Sequence, residues 1–219
     1  MKPTFRTLTM LLVGFTTSAL AQDLRFGVKV GVPLTTYFET GQIAVRGGVL
    51  EYSSATRRYT LGPSVEWRLK PRVALEFDAL YKHLGFVRTE NTSVSGVTLN
   101  SSYEVKGNSW DFPMMAKYRW NGRVVPYVAS GFVLRYMGLG RTRGVKTVQT
   151  AQTTITTPIE GEDTVAAFVP GATVALGMEF GRTRMRLLPE FRYSRWRRTI
   201  FGQLYLEPNQ IEFLLGFLF

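Results

Sequence analysis

The chain has one imidazole, His83, and no cysteine in 219 residues. Without thiols it has no disulfide, no cysteine-ligated zinc, no thiol nucleophile and no lipid-bearing cysteine. A single histidine also excludes any metal site that needs two imidazoles. A hydrolase requires a nucleophile, a base and an orienting acid within mutual reach. His83 could act as a base, but it falls near the outer end of an alternating stretch, on the same face as Tyr81. His83 therefore reads as an interfacial aromatic, and no catalytic, cofactor-binding or metal-ligating residue is expected.

Opposed charges are the remaining polar chemistry. Glu66, Glu76, Asp78, Asp111, Glu179, Glu190 and Glu212 recur against Lys29, Arg68, Lys82, Lys117, Arg119, Arg186 and Arg192. Such a balance suits a confined space in which charges must pair. The whole chain carries a formal charge of +11, which could suit nucleic acid. Its cations, however, are scattered and form no stripe. The run Arg195-Trp196-Arg197-Arg198 reads as a solvated loop end, and no nucleic-acid partner is expected.

The elements that hold these charges follow an export signal. Lys2 and Arg6 precede an apolar stretch from Leu8 to Phe15, and Ala19-Leu20-Ala21 places small residues where a signal peptidase reads. Residues 1–21 therefore read as a cleaved signal peptide, with Ala19, Ala21 and Gln22 at the cleavage region and the mature chain starting at Gln22. No later segment reaches the 18 or so consecutive apolar residues of a membrane helix. Residues 22–219 form one domain, either soluble or inserted as strands.

From Gln22 onward the pattern alternates, as strands with two unlike faces do. Phe26, Val28, Val30 and Val32 alternate with Gly27, Lys29 and Gly31. The same pattern predicts strands around 58–69, 73–82, 110–120, 168–180, 184–193 and 210–219. A further strand over about 124–138 is largely apolar on both faces. The polar face mixes glycine with opposed charges, Gly27 and Gly31 leaving room for long side chains around Lys29, and the other face carries the large aromatics. The charged face therefore points inward and the aromatic face toward lipid.

The predicted fold is all-β: a closed, antiparallel, up-and-down transmembrane barrel of about eight strands. Turns at Lys70-Pro71, Asn121-Gly122-Arg123 and Gly181-Arg182-Thr183 alternate with long loops over about 35–57, 86–108, 139–163 and 198–208. Short periplasmic turns and long extracellular loops give this alternation. Phe26, Trp67, Tyr118, Trp120, Tyr127, Phe180, Phe217 and Phe219 fall at the periplasmic rim, and Tyr59, Tyr81, Trp110, Tyr136 and Tyr193 at the outer one. Two such belts suit rings at both lipid–water interfaces. Pro63, Pro113, Pro170 and Pro189 lie within strands, where bulges are expected to accommodate them.

The run Trp110-Asp111-Phe112-Pro113-Met114-Met115-Ala116-Lys117-Tyr118-Arg119, followed by Pro126-Tyr127-Val128-Ala129-Ser130-Gly131, resembles the bacterial outer-membrane β-barrel domain family of the PorT-like and OmpA-barrel-like kind. The ending Phe217-Leu218-Phe219 resembles the sorting signal read by the barrel-assembly machinery. The resemblance implies a small barrel in the outer membrane of a Gram-negative-type bacterium, with Phe213, Leu215, Phe217 and Phe219 as the assembly signal. It implies no shared activity. The peptidoglycan-binding domain that many such proteins append is not expected after strand eight.

The expected function is a non-catalytic barrel with a side-chain-filled interior, serving envelope structure or interaction through its loops. Its expected partners are outer-membrane lipids, the assembly machinery during biogenesis and an unidentified partner of the loops. Three alternatives stand beside it: a diffusion channel, a lipid-modifying barrel enzyme acting through His83, and a soluble periplasmic lipocalin-like binder with its faces reversed.

Overall fold

The computed structural model describes residues 24–56, 58–161, 165–181, 185–197, 200–201 and 204–219. The expected signal peptide and its cleavage region, including Ala19, Ala21 and Gln22, lie outside the described residues. So does most of the turn at 181–183, including Arg182 and Thr183.

Strands β1 (Leu24–Pro33), β2 (Gly41–Val45), β3 (Gly48–Ser54), β4 (Thr60–Lys70), β5 (Val73–Asp78), β6 (Leu80–Val94) and β7 (Val97–Arg119) make up the first half. The second half comprises β8 (Val125–Gln149), β9 (Thr154–Gly161), β10 (Val165–Glu179), β11 (Arg186–Trp196), β12 (Ile200–Phe201), β13 (Leu204–Tyr205) and β14 (Asn209–Leu218). Eight staves close a ring in the order β1, β4, the joined β5 and β6, β7, β8, β10, β11 and β14, which returns to β1. All pairings are antiparallel; Lys29, for example, lies between Gly62 of β4 and Gly216 of β14. Closure pairs every stave of the barrel on both sides, and the open edges of this sheet remain on β2 and β9, which lie outside the ring.

Burial follows the sequence parity. Lys29 is buried while Val28 and Val30 on either side are exposed, and in β7 every odd residue from Val105 to Arg119 is buried. The outward face is apolar: Phe132, Phe168, Leu176 and Phe191 are all exposed. That is the arrangement of a barrel whose solvent is lipid.

Five expectations are corrected. The prolines do not sit at bulges: Val28 pairs with Pro63, Val133 with Pro113, Leu134 with Pro170 and Leu215 with Pro189, all in unbroken register. The missing N–H of Pro63 is absorbed at Ala79, where the stave breaks between β5 and β6; Ala79 still donates to the Pro63 carbonyl at 3.0 Å. Pro113 borders the same break, since the β7 ladder lapses between Phe77 and Leu80. The bulges fall instead between Arg68 and Lys70 in β4 and opposite Lys106 and Gly107, where β8 has Gly140 as an extra residue.

Tyr127 is not in the periplasmic belt. It is 2% exposed and points into the barrel, where a Cβ on Gly177 would fall 2.3 Å from its ring. The space at Gly27 and Gly31 is taken by the Leu218 and Leu214 side chains and the β14 backbone, not by charged groups. Trp196 is not part of a solvated loop end; it is the buried last residue of β11.

The long loops are largely strand. β7 has 23 residues and β8 has 25, whereas about 9–11 tilted residues cross a bilayer. Their excess length, with β3, the far part of β6 and the edge strands β2 and β9, forms one sheet standing beyond the barrel on one side.

Candidate functional site

Among the described residues, buried polar chemistry is concentrated in the interior. Every inward position of a strand lies near the axis of a small barrel, so staves distant in sequence bring their charges together. Three linked groups result, stacked from the short-turn end to the long-hairpin end.

Nearest the short turns, Glu66 and Glu179 are shared by several cations. Arg119 lies 2.8 Å from Glu66 and 3.5 Å from Glu179, and Arg68 lies 3.4 and 3.7 Å from the same two. Arg186 contacts Glu179. Lys117, 3.2 Å from Glu66, links this group to the next by contacting Glu76.

In the middle, Lys29 is held among Glu76 at 2.5 Å, Asp78 at 3.3 Å and Glu190 at 3.1 Å. Arg192 reaches the same three carboxylates at 3.4, 2.8 and 2.6 Å. Ser64 donates to Asp78 at 2.6 Å, and the Tyr127 hydroxyl donates to Glu190 at 2.9 Å. The Lys117 ammonium lies 4.4 Å from the centre of the Tyr127 ring. A charge taken out of water is tolerated only when partners surround it, and these groups supply them from both sides.

Toward the long hairpins, Lys82 bridges Asp111 at 2.6 Å and Glu212 at 2.5 Å. Arg135 grips Asp111 with two parallel bonds of 2.6 and 2.7 Å and donates to Gln210 at 2.7 Å. Its guanidinium lies 3.8 Å from the Trp196 ring and 5.0 Å from the Tyr37 ring. Arg135 is absent from the sequence-derived set of inward charges because its strand is largely apolar on both faces.

An apolar layer then closes the outer mouth. Tyr37 and Phe38, from the segment after β1, pack with Leu84, Phe86, Met137, Val169 and Leu206. Phe38 bridges to Leu206, Glu207 donates to the Tyr37 carbonyl at 3.0 Å, and the Tyr37 hydroxyl donates to Glu212 at 3.2 Å. Two long connections thus fold inward as a plug over the ion pairs.

His83 does not join these groups. It sits half-buried on the outward face with Nδ1 3.3 Å from the Asn108 side-chain oxygen, which also accepts from the Tyr81 hydroxyl at 2.6 Å. Its ring partner is an amide, and the Gly85 N–H is directed at the Thr56 hydroxyl at 3.3 Å. The neighbouring aromatics form two runs of ring contacts: Tyr59 to Tyr81 at 6.3 Å and Tyr81 to Trp110 at 5.3 Å, and separately Tyr136 to Phe168 at 5.1 Å. At the other rim Tyr118 and Trp120 meet edge to face at 5.2 Å.

The expected assembly signal lies on β14. Phe213, Leu215 and Phe217 pair with Val32, Val30 and Val28, and the Phe219 N–H donates to the Phe26 carbonyl at 2.8 Å. All four share the outward face, and Phe219 is 61% exposed.

The profile of the family described as "Outer membrane protein beta-barrel domain" matches residues 20–195. No curated protein matches the chain. Among solved structures, the chain is similar to Neisserial surface protein A, at 13% identity and TM-score 0.40 over 90% of this chain and 96% of that one. It is also similar to the N-terminal β-barrel domain of OprF from Pseudomonas aeruginosa, at 11% identity and TM-score 0.37 over 90% and 98%. OprG from the same organism matches at 11% identity and TM-score 0.46 over 90% and 94%.

Proposed function

The chain belongs to the outer membrane protein beta-barrel domain family and resides in the Gram-negative outer membrane, and from that membership we propose that it is a non-conducting, non-catalytic barrel that presents its projecting sheet to a partner outside the cell. The short turns then face the periplasm and the long hairpins the exterior. Outer-membrane lipids surround the apolar face, and the assembly machinery reads the β14 end with Phe219.

The observation that carries this reading is the occupancy of the interior. Eight strands enclose a space that side chains can fill. Here the paired charges span it from Glu66 to Arg135, and the Tyr37–Phe38 plug covers their outer side. What remains free to engage a partner is the sheet beyond the bilayer. Its outermost strands, β2 and β9, leave edge N–H and C=O groups exposed, and an extended segment can bind such edges.

The test is electrical. Purified, refolded protein in planar lipid bilayers is expected to show no steady open-pore conductance. Stable channels whose ion selectivity shifts on substituting Glu76 or Arg192 would replace this reading with that of a diffusion channel.

A further inference from the structure

At the short-turn end, cations outnumber the carboxylates that hold them. Arg68, Arg119 and Arg186 come from three different staves and share Glu66 and Glu179, on the first of which Lys117 also draws. Arg25, at the start of β1, interacts electrostatically with Arg68, Arg119 and Glu66. Lys70, Arg72 and Arg123 lie in or beside the adjoining turns. Among the described side chains, positive charge therefore remains in excess here after both carboxylates are paired.

Arg119 shows where that excess is directed. The residue is 3% exposed, and its Nη1 serves Glu66 and Glu179. Its Nε and Nη2 have no hydrogen-bond partner, and neither has Nε of Arg186. Nε and Nη2 form one edge of the planar guanidinium. By that same edge Arg135 holds both oxygens of Asp111, at 2.6 and 2.7 Å. A buried donor without an acceptor is costly, and such donors are rare in folded proteins. Arg119, Arg68 and Arg186 also line a cavity of ≈ 330 Å³, together with Trp120, Asn121 and Glu179.

We propose that this cavity is an anion site that takes a phosphate group, held by the Nε–Nη2 edge of Arg119 with Arg68 and Arg186 beside it. A guanidinium fork matches two oxygens of one anion. A carboxylate would satisfy the fork as well, but the surplus of cations favours the more highly charged phosphate. Two sources share this chemistry. One is a phospholipid headgroup of the inner leaflet, reached past Trp120 at the membrane rim. The other is a soluble phosphate-bearing solute of the periplasm.

The refolded full-length chain in uncharged maltoside micelles can be titrated calorimetrically with inorganic phosphate, dioctanoylphosphatidylglycerol and dioctanoylglycerol. Saturable heat is expected from at least one phosphate-bearing probe and none from dioctanoylglycerol. A response to inorganic phosphate assigns the soluble source, and a response to phosphatidylglycerol alone assigns the lipid. Arg119→Gln should weaken binding about tenfold to a hundredfold, the range for a lost charge-assisted bond. Arg119→Lys should recover only part of this, because it restores the charge without the fork. Glu179→Gln should tighten binding, since it releases Arg186 and Arg68. Absence of saturable binding by either phosphate probe overturns the proposal. So does binding unchanged in a folded Arg119→Gln barrel, or, where that variant fails to fold, binding unchanged in both Glu179→Gln and Arg186→Gln.

Discussion

Replacing Arg135 with methionine tests whether the interior is held by paired charge or by volume alone. Its group contains two cations, Lys82 and Arg135, and two carboxylates, Asp111 and Glu212, all buried. Arg135→Met leaves Lys82 alone with both carboxylates and removes the stacking on Trp196. Breaking a buried pair costs about 3–5 kcal/mol, and a desolvated cation–π contact contributes up to about 2 kcal/mol of its own. Asp111→Leu leaves Arg135 and Lys82 competing for Glu212 and should cost a similar 3–5 kcal/mol or so. The double variant removes the pair together. Lys82 keeps Glu212 at 2.5 Å, and the remaining loss is the Gln210 bond and the Trp196 stacking, about 2–4 kcal/mol together. Two independent losses would sum to about 6–12 kcal/mol, so the cycle should show a coupling of about 4–8 kcal/mol. Reversible urea unfolding in lipid vesicles, followed by tryptophan fluorescence, measures all three variants. A double variant as unstable as the sum of the singles would refute the pairing argument.

Val30→Arg should cost about 2–4 kcal/mol in the same unfolding assay, because it places a charge on the lipid face; a neutral result would reverse the assignment of faces. Lys29→Gln should cost at least as much, since Glu76, Asp78 and Glu190 all converge on that ammonium, and a cheap substitution there would mean that the middle group is solvated. Phe38→Ala should cost about 3–5 kcal/mol as a buried aromatic truncation and should still give no steady conductance, because the ion pairs lie beneath the plug; channels in this variant would make the plug the sole barrier. Phe219→Ser should lower outer-membrane assembly in cells, measured by fractionation, while refolding of the purified chain in detergent changes much less. An equal loss in both assays would make Phe219 a packing residue rather than a signal.

Period-two alternation was legible in the sequence because a barrel strand has lipid on one side and paired charge on the other, so each residue type declares its face. That suffices for the eight staves, the inward direction of Lys29, Glu66 and Glu212 and the short turns at 70–71 and 121–123. The signal fails where the two environments stop differing. In β8, Tyr127, Ala129, Val133 and Met137 point inward and are as apolar as their outward neighbours, so parity could not be read and both Tyr127 and Arg135 escaped. Beyond the bilayer both faces of a strand meet water, so the threonine- and serine-rich ends of β7 and β8 carry no alternation and read as loops. Tyr127 finds room only because Gly177 faces it from another strand, and the Ala79 break exists because Pro63 and Pro113 flank it from two sides. The plug, with Tyr37 and Phe38 meeting Leu206 from the far end of the chain, and the unsatisfied edge of Arg119 are likewise properties of which strands become neighbours. Closure of the sheet decides those neighbours, and a local pattern, which records only how one strand divides between two solvents, contains no information about them.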